Sequence, residues 1–133
     1  MTFLQAVRLG FRRAFTVRGR AAISEFWWWM LFVVIVACVS LGLDAVLEWQ
    51  IRGEGLITTA TYFALIIPTT TLAVRRWHDL GHSGWWILMS LVPCVGGAAE
   101  LVWLSQPGDE ATNRFGPPPR AAQATSFGTP DNA

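Results

Sequence analysis

The chain has no lysine, a single tyrosine, two cysteines and few charges, 14% of 133 residues. Each scarcity excludes something. The cysteines, Cys38 and Cys94, both lie in apolar surroundings and do not form the pattern of a secreted disulfide scaffold, so they read as small buried apolar residues. No phosphate-binding loop, no nucleophile paired with a base and no complete metal-ligand set is present, so no cofactor is expected and no reaction can be read off. No nucleic-acid partner is indicated. The apolar positions gather into a few blocks and leave no room for a separate soluble domain.

What is present is long apolar runs. Phe26 to Leu43, Leu56 to Val74 and Gly84 to Leu104 each approach the ~20 residues that span a bilayer as a helix. The first two carry no charge, and the third carries only Glu100. The expected fold is all-α: a polytopic membrane protein with three transmembrane helices, about 26–43, 56–74 and 84–104, in a single membrane domain covering 1–116. Residues 117–133 are expected to form a disordered tail, because little apolar mass remains there. The first run is longer than the apolar core of a cleaved signal peptide, so it is expected to be retained, despite a lipoprotein-like box at Ile35–Cys38.

Before the first run, apolar residues recur at helical spacing from Phe3 to Phe15, with Arg8, Arg12 and Arg13 on much of the other face. This predicts a short interfacial helix over about 3–15, arginines toward anionic lipid headgroups. Ser24 is expected to cap the first span, with Glu25 at the positive end of its dipole. Trp27, Trp28 and Trp29 suit one headgroup boundary, and Trp85, Trp86 and Trp103 are further interface anchors. Trp85 and Trp103 are separated by roughly 27 Å of ideal helix, which matches a full crossing. Pro93 with Gly96 and Gly97 weakens that helix and leaves a re-entrant hairpin as the alternative. Pro68 predicts a kink in the second span. Gly81 as a left-handed terminator and Ser83 as a cap predict a short turn before the third.

With three crossings, seven arginines (8, 12, 13, 18, 20, 75, 76) share one side against Arg52, Arg114 and Arg120 on the other. That bias predicts a cytoplasmic N-terminus and an outward C-terminal tail.

Three segments carry a likeness to a known family. Gly19-Arg20-Ala21-Ala22-Ile23-Ser24-Glu25-Phe26-Trp27, Arg75-Arg76-Trp77-His78-Asp79-Leu80-Gly81-His82-Ser83-Gly84-Trp85-Trp86, and Pro107-Gly108 with Asn113-Arg114-Phe115-Gly116-Pro117 resemble the domain-of-unknown-function family 805, the YhaH-like bacterial inner-membrane proteins. The likeness runs from about Phe15 to Pro119. It implies a small polytopic protein of the bacterial inner membrane with no established activity. Two positions depart from the family pattern: Ile23 where a basic residue is frequent, and Trp77 where leucine is usual.

The topology gathers Arg20, Glu25, Arg75, Arg76, His78, Asp79 and His82 at one membrane face. Glu25 or Asp79 is expected to pair with Arg75 or Arg76, since the planar guanidinium fork matches a carboxylate; the alternative is that each arginine snorkels to lipid phosphate. Metal binding by His78, Asp79 and His82 is disfavoured by the glycine between the histidines. Glu100 is the one ionisable residue inside a run and a functional candidate by default. The expected function is a non-enzymatic membrane interaction or modulatory protein with a basic cytoplasmic face. Alternatives are a subunit of an oligomeric small transporter or channel, and a lipid-headgroup enzyme. The expected partners are the bilayer, and a membrane protein or further copies of the chain.

Overall fold

The computed structural model describes residues 1–47, 50–51 and 54–120. Its elements in order are α1 (Phe3–Arg12), α2 (Ile23–Leu47), the two-residue strands β1 (Gln50–Ile51) and β2 (Glu54–Gly55), α3 (Leu56–Asp79), a 3-10 helix (Gly84–Leu91) and α4 (Gly96–Leu104). The expected disordered tail, from residue 121 on, lies outside the described residues.

Two helices, α2 and α3, are long and apolar enough to cross a membrane. At 1.5 Å per residue they reach about 36 Å, beyond the ~30 Å hydrocarbon thickness, so their ends project into the headgroup region. Val34, Val39, Leu41, Tyr62 and Phe63 are each more than half exposed. A helix that leaves such residues uncovered on most sides has lipid, not water, as its solvent.

The two helices are antiparallel and tied by polar contacts at three levels. The Trp29 indole donates to Thr69 Oγ1 at 3.0 Å, Ser40 and Thr61 share a hydroxyl contact at 3.0 Å, and Asp44 accepts from the amides of Ile57 (2.9 Å) and Thr58 (2.8 Å). Asp44 thereby caps α3, whose own N-cap, Gly55, has no side chain to do so. Glycine is required there, because a Cβ would overlap the Asp44 carboxylate. α2 continues past the apolar run to Leu47, and Asp44 in its last turn is buried. Ser24 lies inside the first turn of α2 rather than at its cap, with the Phe26 amide bonded to Ala22 O. Pro68 is accommodated within α3, which runs unbroken from Leu56 to Asp79.

The expected third span is absent: residues 84–104 form a hairpin, not a crossing. Pro93 has no N–H to give to the Ser90 carbonyl, so the 3-10 helix stops at Leu91. Cys94 takes a positive φ of 70° and turns the chain, and Gly96 presses against the Met89 carbonyl so closely that any Cβ would collide. The return is visible at Trp77, which meets Trp86 on the outward arm (ring centroids 5.7 Å apart) and Glu100 on the inward one (3.1 Å). At about 2.0 Å per residue for the eight-residue 3-10 arm and 1.5 Å for the nine-residue α4, each arm reaches roughly 15 Å, half the hydrocarbon depth. Trp85 and Trp103 therefore stand at one end of the hairpin, not at opposite boundaries.

Residues 104–116 return to the end where α2 begins, so the strap and the N-terminal segment share one end of the helix pair, where a third crossing would have put them at opposite ends. α1 folds back onto the same end. It opens with a capping box between Thr2 and Gln5, and packs Phe3 and Phe11 edge-on against Trp28 and Trp29 at 6.0 and 5.2 Å.

Candidate functional site

α3 must satisfy the carbonyls of its last turn, because no further helix supplies donors. Two distant segments, the linker before α2 and the stretch after α4, provide donors. The Ala21 amide donates to Arg75 O (3.1 Å), the Asn113 side chain to His78 O (3.0 Å), and the Asp109 amide to Asp79 O (2.8 Å). Gly81, at φ 75°, and Ser83, whose hydroxyl accepts from the Trp85 amide, then turn the chain into the hairpin as their residue types require.

Around this end lies a buried lattice of charges. Arg20, Glu25, Arg75, Arg76 and Asp79 are each 5% exposed or less. Arg75 Nη1 donates to Glu25 Oε1 at 2.9 Å and fastens α3 to the first turn of α2. Asp79 accepts from Arg20 Nε at 2.8 Å through one oxygen and from Arg76 Nη1 through the other. The remaining donors of these two arginines are met by backbone. Arg76 reaches Leu104 O (2.9 Å) and Gln106 O; Arg20 reaches Ala111 O (2.7 Å), Gly116 O (3.3 Å) and Asp109 O. Residues 104–116 thus form a strap whose carbonyls are read by two guanidiniums. Gly108 lies so close to the Asp79 carboxylate that only a residue without a Cβ fits.

Arg20, Arg75 and Arg76 are therefore held by carboxylates and carbonyls instead of snorkelling separately. Buried charges survive only when paired and hydrogen-bonded in this way. Arg75 is the least saturated: among the described residues its Nε and Nη2 have no partner.

The two histidines sit apart from the lattice and from each other in role. His78 Nδ1 contacts Gly19 O at 3.2 Å and its ring stacks on Phe115, centroids 3.9 Å apart and 6° from parallel. His82 packs against the rings of Trp77 and Trp86. Glu100 accepts from the Trp77 indole at 3.1 Å, a bond that leucine at position 77 could not supply. Ile23 is exposed at the start of α2. Of the other expected anchors, Trp27, Trp28, Trp85, Trp86 and Trp103 are exposed and Trp29 is fully buried between the helices.

Sequence reasoning missed the strap's carbonyls, which any residue type provides, and the capping role of Asp44, whose signal was a carboxylate twelve residues before the start of a helix with glycine at its N-cap.

The three segments that meet here lie within the region matched by a known family. The profile of the family described as protein of unknown function (DUF805) matches residues 14–117. The inner membrane protein YhaH of Escherichia coli strain K12 is 38% identical over 104 residues, covering 77% of this chain and 86% of that relative. The inner membrane protein YhaI of the same strain is 30% identical over 102 residues, covering 77% and 84%. No solved structure matches the chain.

Proposed function

We propose, for a chain that belongs to the DUF805 family and resides in the bacterial inner membrane, a non-enzymatic role: a small membrane-interaction protein presenting an arginine-rich face to the cytoplasm. The observation that carries this reading is the state of the candidate chemical groups. The five charged side chains of the lattice are buried and turned toward one another and toward backbone carbonyls, whereas Arg8, Arg12, Arg13 and Arg18 are exposed around the same end. The lattice is a clasp that closes the fold, and the exposed arginines are the surface offered outward.

The hairpin sharpens the orientation. With two crossings, nine arginines (8, 12, 13, 18, 20, 75, 76, 114, 120) fall on one side and Arg52 alone on the loop at the other. A bias that steep supports a cytoplasmic N-terminus and a cytoplasmic strap. Single cysteines placed at Arg18 and at Arg114, in a chain with Cys38 and Cys94 replaced by serine, test this in intact cells. Both positions are expected to react with a membrane-permeant maleimide and to resist an impermeant one. Labelling of either by the impermeant reagent overturns the orientation.

A further inference from the structure

The N-terminal 24 residues contain five arginines and no carboxylate. Arg20 is used in the clasp, which leaves four cations with nothing of opposite sign on their own segment. Their setting is divided into three faces. Ala6 and Gly10 are buried, and Gly10 abuts the Trp29 ring so tightly that a Cβ would overlap it, so this face of α1 is fixed to α2. A third of a turn round the helix come Leu4 and Phe11, continued by Phe15 in the turn beyond α1, 75%, 49% and 85% exposed. Arg8 and Arg12, four apart and both exposed, flank that apolar strip. Through Phe3 and Phe11, α1 is pinned at the level of Trp28 and Trp29, rings suited to the boundary between hydrocarbon and headgroups. An apolar strip bordered by cations at that depth fits a phospholipid from acyl chain to phosphate.

We propose that α1 and the linker to α2 form a recognition surface for anionic phospholipid. Leu4, Phe11 and Phe15 lie among acyl chains, while Arg8, Arg12 and Arg18 bind headgroup phosphates through the guanidinium fork. This deepens the reading of a basic cytoplasmic face and rests on it, but its test does not depend on sidedness in the cell. Full-length protein is placed in nanodiscs of phosphatidylcholine with a minority of phosphatidylglycerol, where both leaflets are alike, then extracted in mild detergent, and its retained lipids are counted by native mass spectrometry. Phosphatidylglycerol is expected to be enriched over its bulk share, and the triple variant R8Q/R12Q/R18Q to lose enrichment by roughly fivefold for each arginine removed. Since these arginines are exposed, the variant is expected to elute and fluoresce as the parent does. A second variant, L4Q/F15Q, is expected to retain less of both lipids. Lipid retained in its bulk proportion by the parent overturns the proposal, as does enrichment that survives in the triple variant. Displacement of the retained lipid by inorganic phosphate also overturns it, since that result describes a free-phosphate site. Cysteine labelling from outside would remove the cytoplasmic reading while leaving the lipid result standing, so the two failures are distinguishable.

Discussion

Asp79 is the only carboxylate shared by two buried arginines among the described residues, and replacing it with asparagine isolates what the clasp contributes. Three guanidiniums and two carboxylates give the lattice a net charge of +1, which D79N raises to +2 without changing shape. Asparagine keeps one acceptor oxygen but turns an NH2 toward a second set of donors. Two charge-assisted hydrogen bonds at about 1.5–3 kcal/mol each are lost or inverted. Independently, removing one partner of a buried ion pair costs about 3–5 kcal/mol. The two routes agree on a loss near 3–5 kcal/mol, a fifth or more of a total stability of roughly 5–15 kcal/mol. Unfolding monitored by tryptophan fluorescence in an SDS titration measures it, since the eight tryptophans include the buried Trp29 and Trp77. If D79N does not accumulate, D79E provides a second measurement: charge is kept, but the longer arm is driven into Gly108, and a smaller loss is expected. A loss below about 1 kcal/mol for D79N refutes the reasoning, because a buried site with two stranded arginines cannot be that cheap.

Other substitutions test the elements separately. D44A removes the side chain that caps the start of α3 and is expected to cost about 1–2 kcal/mol in the same titration, from lost capping and dipole stabilisation. G10L forces α1 off Trp29 and is expected to release residues 1–18, ahead of the clasped Arg20, to limited proteolysis while the remainder resists. E100Q retains an acceptor for the Trp77 indole and is expected to cost less than about 1 kcal/mol, whereas E100L strands that donor and is expected to cost about 1–3 kcal/mol.

Much of this architecture is legible from residue types. α2 and α3 are uniformly apolar over a bilayer's width, and Gly81 and Ser83 perform the turn their chemistry favours. The candidate cluster was legible as charges at helix ends, and the pairs Arg75 with Glu25 and Arg76 with Asp79 stand among the combinations that fork geometry suggests. The hairpin was legible only as the alternative that Pro93, Gly96 and Gly97 leave open, because hydropathy averages over a window and cannot distinguish one crossing from two half-crossings of equal greasiness. The two prolines make the point. Pro68 sits inside a continuous helix, while Pro93 ends one, and the difference lies in its C-terminal neighbours, Cys94 at positive φ and Gly96 admitting the Met89 carbonyl. Pairing of Arg20 with strap carbonyls was equally invisible, since a backbone carbonyl has no residue signature.

The return of the chain at Pro93 decides whether the strap can reach Arg20 and Arg76 at all, so the side of the C-terminus is the direct test. Alkaline phosphatase and green fluorescent protein fused in turn after Arg120 report opposite sides of the inner membrane. Fluorescence without phosphatase activity, as for an N-terminal fluorescent fusion, is the expected outcome. An active phosphatase at that position would mean that residues 84–104 cross the bilayer and that no clasp forms with the strap.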